Sequence, residues 1–255
     1  MNPKQSLAFS YLITEGQRNL FPMSFNQCIQ ELNKLKNPSK AKILAGFFKT
    51  GKGEYGEGDI FWGITVPEQR KVAKKFIDLN FSDIQRLLNS KIHEQRLVAL
   101  LLLVEKYKKG NDKEKKEIVK LYLKNTKNIN NWDLVDLSSH YILGDYLLNK
   151  NRGTLYKLAK SKNLWEKRIA IISTFAFIRV EDFGDSLKIA EILLKDKHDL
   201  IHKAVGWMLR EVGKKDPQVE EKFLIRYYKD MPRTMLRYAI EKFPEKKRQF
   251  YLKKQ

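Results

Sequence analysis

Apolar residues recur along this chain at the period of an α-helix. In Ser24 to Lys36 they fall at Phe25, Cys28, Ile29, Leu32 and Leu35, the spacing that gives a helix one buried stripe. Asn37-Pro38-Ser39 breaks this helix and caps the next, which runs to about Phe48. A polar stretch, Thr50 to Asp59, then carries four glycines in its positions 51 to 58. Phe61 to Val66 is the only strand-like piece, too short and isolated to build a sheet. Pro67 is well suited to open a helix behind Thr65-Val66. From there the pattern predicts helices at about 67–78, 82–89, 93–108, 112–124, 131–149, 153–161, 164–178, 184–195, 199–213, 217–229, 232–242 and 245–252. Connections are short, and no stretch alternates with period two. The fold class expected is all-α.

The helices repeat. Glu94 to Leu103, Glu166 to Phe175 and Ile201 to Arg210 align so that Arg96, Arg168 and Lys203 take one position, with Asp133 at that place in the helix between. The steps are 37, 35 and 35 residues. A helix-pair repeat of this length predicts an α-solenoid of HEAT-like repeats, with one helix of each pair lining a concave groove.

Composition adds a partner. The chain has 255 residues with 50 Lys+Arg against 30 Asp+Glu, a formal charge of +20. Such an excess favours a polyanion, nucleic acid before an anionic membrane; a lysine-rich proteome would produce the same excess without a partner. The single cysteine, Cys28, excludes an intramolecular disulfide and fits a reducing, cytoplasmic setting. No apolar run reaches the ~18 residues of a membrane span, and no signal-peptide pattern follows the short apolar patch Leu7 to Ile13. Met23-Ser24 resembles a natural start. Residues 1–22 therefore read as an N-terminal extension and 23–255 as one solenoid domain.

The stretch Asn131-Trp-Asp-Leu-Val-Asp136 is the oddest in so basic a chain. Trp132 and Asp136 are four apart and share a helix face. With Arg168 at zero and ~100° per residue, Asp136 falls near about −60°, Arg210 near about −20°, Trp207 near about +40° and Trp132 near about −100°. Successive inner helices would thus bring them into one arc of roughly 140°. Each has a plainer reading: the tryptophans as core, Arg168 as an inter-repeat bridge to Asp136 or Asp133, and Asp133 as a first-turn carboxylate. Other chemistries are poorly supported. The glycine-rich stretch lacks the Gly-Lys-Ser/Thr ending of a phosphate loop. His198 and His202 have no third metal ligand nearby, and Cys28 has no neighbouring histidine base.

Several motifs in one order resemble the HEAT-like-repeat DNA alkylation-repair glycosylases, the AlkD-type family, from about residue 24 onward. They are Lys52-Gly-Glu-Tyr-Gly-Glu-Gly-Asp59 with Gly63-Ile-Thr-Val-Pro-Glu68, His93-Glu-Gln-Arg-Leu97 and the Trp132–Asp136 stretch. Trp165-Glu-Lys-Arg-Ile-Ala170, Lys203 to Arg210 and Met231 to Ala239 complete the set. The resemblance implies a groove for duplex DNA and excision of cationic N-alkylated purines, of the 3-methyladenine and 7-methylguanine type, without full base flipping. It implies Asp136, Trp132 and Trp207 as catalytic residues and Arg168 as a DNA-holding arginine; Arg210, Lys203 and Arg96 join it as candidate phosphate contacts. No cofactor and no metal are expected, and the chain is expected to act as a monomer. The alternative kept open is a non-catalytic HEAT-repeat binder of bent, branched or damaged DNA.

Overall fold

The computed structural model describes residues 24–253, so the extension expected over residues 1–22 lies outside the described residues. Within them the chain runs through α1 (Phe25–Lys34), α2 (Pro38–Phe47), α3 (Val66–Lys75), α4 (Phe81–Leu88), α5 (His93–Lys109), α6 (Asp112–Lys124) and α7 (Trp132–Asp136). It continues through α8 (Gly153–Ala159), α9 (Leu164–Ser173), α10 (Phe175–Arg179), α11 (Gly184–Ile192), α12 (Asp199–Lys215), α13 (Pro217–Tyr227), α14 (Arg233–Ala239) and α15 (Glu245–Lys253). Among the described residues the strand-like piece 61–66 joins no sheet; its neighbour Ile60 makes one isolated parallel bridge to Ile92. The fold is an all-α, helical-repeat solenoid.

Helix starts follow local chemistry. Ser24 and Gln27 close a reciprocal capping box on α1, and Asn37 caps α2 with Pro38 as its first residue. Each such cap satisfies backbone N–H groups that have no partner inside the helix. Val66 rather than Pro67 opens α3, behind a Thr65–Glu68 box. Cys28 is fully buried, and burial, with Glu31 adding to it, pushes its thiol up to about 12. That agrees with a thiol that is packing rather than chemistry.

The helices form two layers. α5, α7, α9, α12 and α14 are successive neighbours along the inner layer, while α4 packs on α5, α8 on α9, and α11 and α13 on α12. The run Leu97 to Val104 of α5 is buried along its whole length, which is what a helix sandwiched on both sides requires. Close approach needs missing side chains at two places. A Cβ on Gly206 of α12 would stand 2.4 Å from the Met235 carbonyl oxygen in α14. Gly63 has φ +81, and a Cβ there would stand 2.1 Å from the Asn37 carbonyl oxygen.

Two expected helices are interrupted. Instead of one helix over 131–149, α7 ends at Asp136 and a π-helical segment follows over His140–Gly144. The Ser138 hydroxyl bonds back to the Leu134 carbonyl and meets the Tyr122 hydroxyl at 3.1 Å. A side chain that occupies a helix carbonyl in this way competes with the next turn, and apolar periodicity does not register it. Thr174 does the same between α9 and α10, its hydroxyl bonding the Ile171 carbonyl at 2.7 Å. The segment expected over 232–242 is α14 followed by a 3-10 turn, Ile240–Lys242.

Candidate active site

α7 is only five residues long, and the break after it leaves Asp136 at its last position, facing the inner layer. Arg168 of α9 meets that carboxylate with two hydrogen bonds, Nε to Oδ1 at 2.9 Å and Nη2 to Oδ2 at 2.7 Å. Its Nη1 donates to the Leu200 carbonyl oxygen. The side chains are 6% and 15% exposed respectively, so this is a nearly buried, two-pronged ion pair. Burial pushes the Asp136 carboxyl above the usual carboxylate range and nearby Asp133 adds to this, while Arg168 pulls the other way by charge and hydrogen bonding. Each carboxylate oxygen keeps a further lone pair for something in the groove.

That groove is a cavity of ≈ 810 Å³. Six of the residues singled out from sequence line it together: Trp132, Asp136, Arg168, Lys203, Trp207 and Arg210. The successive inner helices α7, α9 and α12 thus bring these six side chains to one cavity. Both tryptophans are half-buried, with one side packed: Trp132 stacks on Phe48 at 5.0 Å and 15°, and Trp207 lies 6.1 Å from Phe175. The Trp207 indole N–H donates to Glu211. Lys203 pairs with Asp199 at 2.7 Å, and Arg210 pairs with Glu241. The groove's cations thus have acidic partners that an incoming phosphate would have to displace.

Arg96 departs from its expectation. Its guanidinium is buried, held by Asp59 at 2.7 Å and by the Ser90 carbonyl oxygen at 2.9 Å, and it does not line the groove. Shared register was a poor guide here because the glycine-rich loop covers α5 and claims its arginine. Asp133 also separates from Asp136. Its Oδ1 accepts from the Leu134 N–H, its Oδ2 contacts His93 at 2.8 Å, and it does not line the groove, although both carboxylates border a second, apolar chamber beside Trp132. His198 accepts from the Leu200 N–H as the cap of α12, a capping role rather than one of a ligand pair.

These residues fit a wider comparison. The family model described as DNA alkylation repair enzyme matches residues 28–243. The chain belongs to this family. A predicted DNA alkylation repair enzyme from Enterococcus faecalis is similar in structure, with TM-score 0.64 at 18% identity over 82% of this chain and 97% of that one. AlkD2 from Streptococcus mutans is similar at TM-score 0.50 and 19% identity, over 87% of this chain and 100% of that one. At such identities the likeness establishes the fold alone. No curated relative matches the chain significantly. Family membership gives the protein a role in the repair of alkylated DNA, and among the described residues no helix is long and apolar enough to cross a membrane.

For a DNA-repair protein the groove holds residues that sequence reasoning passed over. Tyr55, from the glycine-rich loop, lines it beside Phe47, Lys49 and Tyr238. Burial pushes the Tyr55 hydroxyl up, opposed by a hydrogen bond from Trp132 and by the charge of Lys203. The loop was weighed as a phosphate cradle because of its glycines; the aromatic residue between them was the signal that counted. Lys49 and Tyr238 have no comparable signature, since each is one among many lysines and tyrosines.

Proposed function

We propose that this protein is a DNA glycosylase that hydrolyses the N-glycosidic bond of cationic N-alkylated purines in duplex DNA. The observation that carries the reading is the Asp136 carboxylate, fixed by Arg168 within a groove that also holds two tryptophans, Tyr55 and cationic side chains. An alkylated purine already bears positive charge and leaves without a strong acid. The charge that develops is on the sugar, as in glycoside hydrolysis generally. A carboxylate held rigidly beside that sugar stabilises the cation with no reorganisation at the moment of reaction, and its free lone pairs orient a water. Trp132 and Trp207 offer π-faces to sugar or base, about 0.5–2 kcal/mol each. Lys203, Arg210 and Lys49 grip phosphates.

The completeness of the Asp136–Arg168 pair supports a second reading, in which the carboxylate is structural and the groove only reads damaged or bent DNA. Release of 7-methylguanine from a methylated duplex separates the two. The glycosylase reading expects release by the wild type, with Asp136→Asn losing at least ~100-fold in rate while still binding DNA. Tight binding with no release of 7-methylguanine or 3-methyladenine by the wild type would leave a DNA-structure reader.

A further inference from the structure

Behind the groove, outside the machinery assigned above, lies a chain of buried charged groups. His93, the first residue of α5, is 2% exposed in its side chain and sits between two carboxylates: Asp59 of the glycine-rich loop at 3.3 Å from Nδ1, and Asp133 of α7 at 2.8 Å from Nε2. Neither carboxylate is more than 7% exposed. An imidazole with both nitrogens on carboxylates must donate from both, and only the imidazolium does so. The other charged groups close by are Arg96 of the same helix, which pairs with Asp59, Glu94, which accepts from the Trp62, Gly63 and Ile64 amides, and Asp136, one turn beyond Asp133.

The ring also ends an aromatic stack. His93 stacks on Phe61 at 4.4 Å, Phe61 on Phe48 at 5.0 Å, and Phe48 on Trp132 at 5.0 Å. Two routes therefore join His93 to the groove, one through Asp133 to its neighbour Trp132 and one through the stacked rings. Asp59 closes the loop that carries Tyr55. The loop's return is pinned at the same place, where the His93 N–H bonds the Ile60 carbonyl oxygen at 2.9 Å.

We propose that His93 is a positioning residue: as an imidazolium it clamps the Tyr55-bearing loop to the helix that carries Trp132 and Asp136. The inference rests on the glycosylase reading for its effect on rate, but the clamp itself does not. Burial works against the charged ring, yet the charge of Asp133 and the hydrogen bonds to Asp133 and Asp59 lift it to about 9. Deprotonation leaves two buried carboxylates facing one remaining N–H, and Asp59 keeps Arg96 and Asn130 but loses its charged link through the His93 ring to Asp133 of α7.

The test compares wild type with His93→Gln, whose amide can serve one carboxylate but carries no charge. At pH 7.5 and saturating methylated duplex, His93→Gln is expected to release base at least ~10-fold more slowly, with DNA affinity within ~2-fold. The wild-type rate is expected to fall through a midpoint near 9, and that alkaline limb is expected to vanish in the variant. Amide-exchange protection of residues 53–58 is read in parallel and is expected to drop in His93→Gln while α9 and α12 stay protected. An unchanged rate, or an alkaline limb retained in the variant, overturns the proposal. Should the wild type release no base at any pH, the glycosylase reading fails separately; loop protection then decides, and equal protection in both proteins overturns the clamp. Asp59→Asn removes one carboxylate and repeats both readouts if His93→Gln does not fold.

Discussion

Replacing Arg168 by methionine removes a guanidinium of similar length and leaves the Asp136 carboxylate without its partner. The two side chains are 6% and 15% exposed, so solvent screens the pair little, and both carboxylate oxygens lose a charge-assisted hydrogen bond. Breaking a buried pair by deleting one member costs about 3–5 kcal/mol, and the freed Leu200 carbonyl oxygen adds up to about 1 kcal/mol. The expected loss is about 3–6 kcal/mol at pH 7.5, read as a shift of the urea midpoint at constant slope. The loss depends on pH in a defined sense. Without Arg168 the folded-state pKa of Asp136 rises further above its unfolded value. A raised carboxyl pKa destabilises at pH above it and costs nothing once both states are protonated. The deficit is therefore expected to shrink as pH falls from 7.5 toward the usual carboxylate range. A double-mutant cycle with Asp136→Asn should give a coupling of at least about 2 kcal/mol. Kinetics divide the two possible roles of Arg168. If it positions Asp136, Arg168→Met lowers kcat even at saturating DNA; a phosphate grip alone would raise KM and spare kcat. A loss below about 1 kcal/mol with no pH dependence would refute the buried-pair argument, and an unchanged kcat would refute positioning.

Two further outcomes follow from other contacts. Glu94→Ala strips three backbone N–H groups, those of Trp62, Gly63 and Ile64, of their acceptor, and at about 1–3 kcal/mol for each buried unsatisfied donor the combined loss is expected at about 3–9 kcal/mol; Glu94→Gln, which keeps one acceptor oxygen, should lose less than half of that in the same denaturation assay. Lys203→Ala removes one groove cation, paired only at the partly exposed Asp199, and is expected to reduce the slope of log affinity against log salt by about 1 for undamaged duplex as much as for alkylated duplex; an effect confined to alkylated DNA would place Lys203 at the lesion instead.

The repeat and the groove were legible because both depend on period. Spacings of 37, 35 and 35 between Arg96, Asp133, Arg168 and Lys203 set the inner helices in register, and 100° arithmetic then put Trp132, Asp136, Arg168, Trp207 and Arg210 on one arc. Period says nothing about what covers a position. Arg96 holds the shared register and is nevertheless buried under Asp59, because the loop over 50–59 ends in a carboxylate that claims the arginine of α5, while its contact with α9 is an aromatic one, Tyr55 on Trp165. Nor does period show where a helix stops when a side chain rather than a proline stops it. Ser138 and Thr174 sit within runs whose apolar spacing continues past them. Loop residues such as Tyr55 were quoted as motif without a role, since a loop's geometry depends on distant partners: Glu94 stands 30 or more residues from the amides it caps.

The departures from local rule are not scattered. α7 is five residues long, a π-helical segment follows it, Asn131 is buried with its amide nitrogen unpartnered, and three charged or titratable side chains of α5 and two of α7 are largely buried within a few residues of one another. Each is unfavourable alone: a short helix retains few internal hydrogen bonds, and buried charges lose hydration that pairing only partly restores. An apolar α7 continuous with the following helix would satisfy the solenoid better, as the neighbouring α5 does with its uninterrupted run from Leu97 to Val104. Real sequences break their own rules mainly where function requires it. Here the break has a geometric product. Ending α7 at Asp136 lets Arg168 approach it from α9 with both nitrogens aligned, and Asp133, held on His93, stays out of the groove lining. The folding energy given up around Trp132 to Gly144 yields one carboxylate, in one orientation, beside two aromatic faces, which is the arrangement the proposed glycosylase reaction requires for its cationic leaving base and electron-poor sugar.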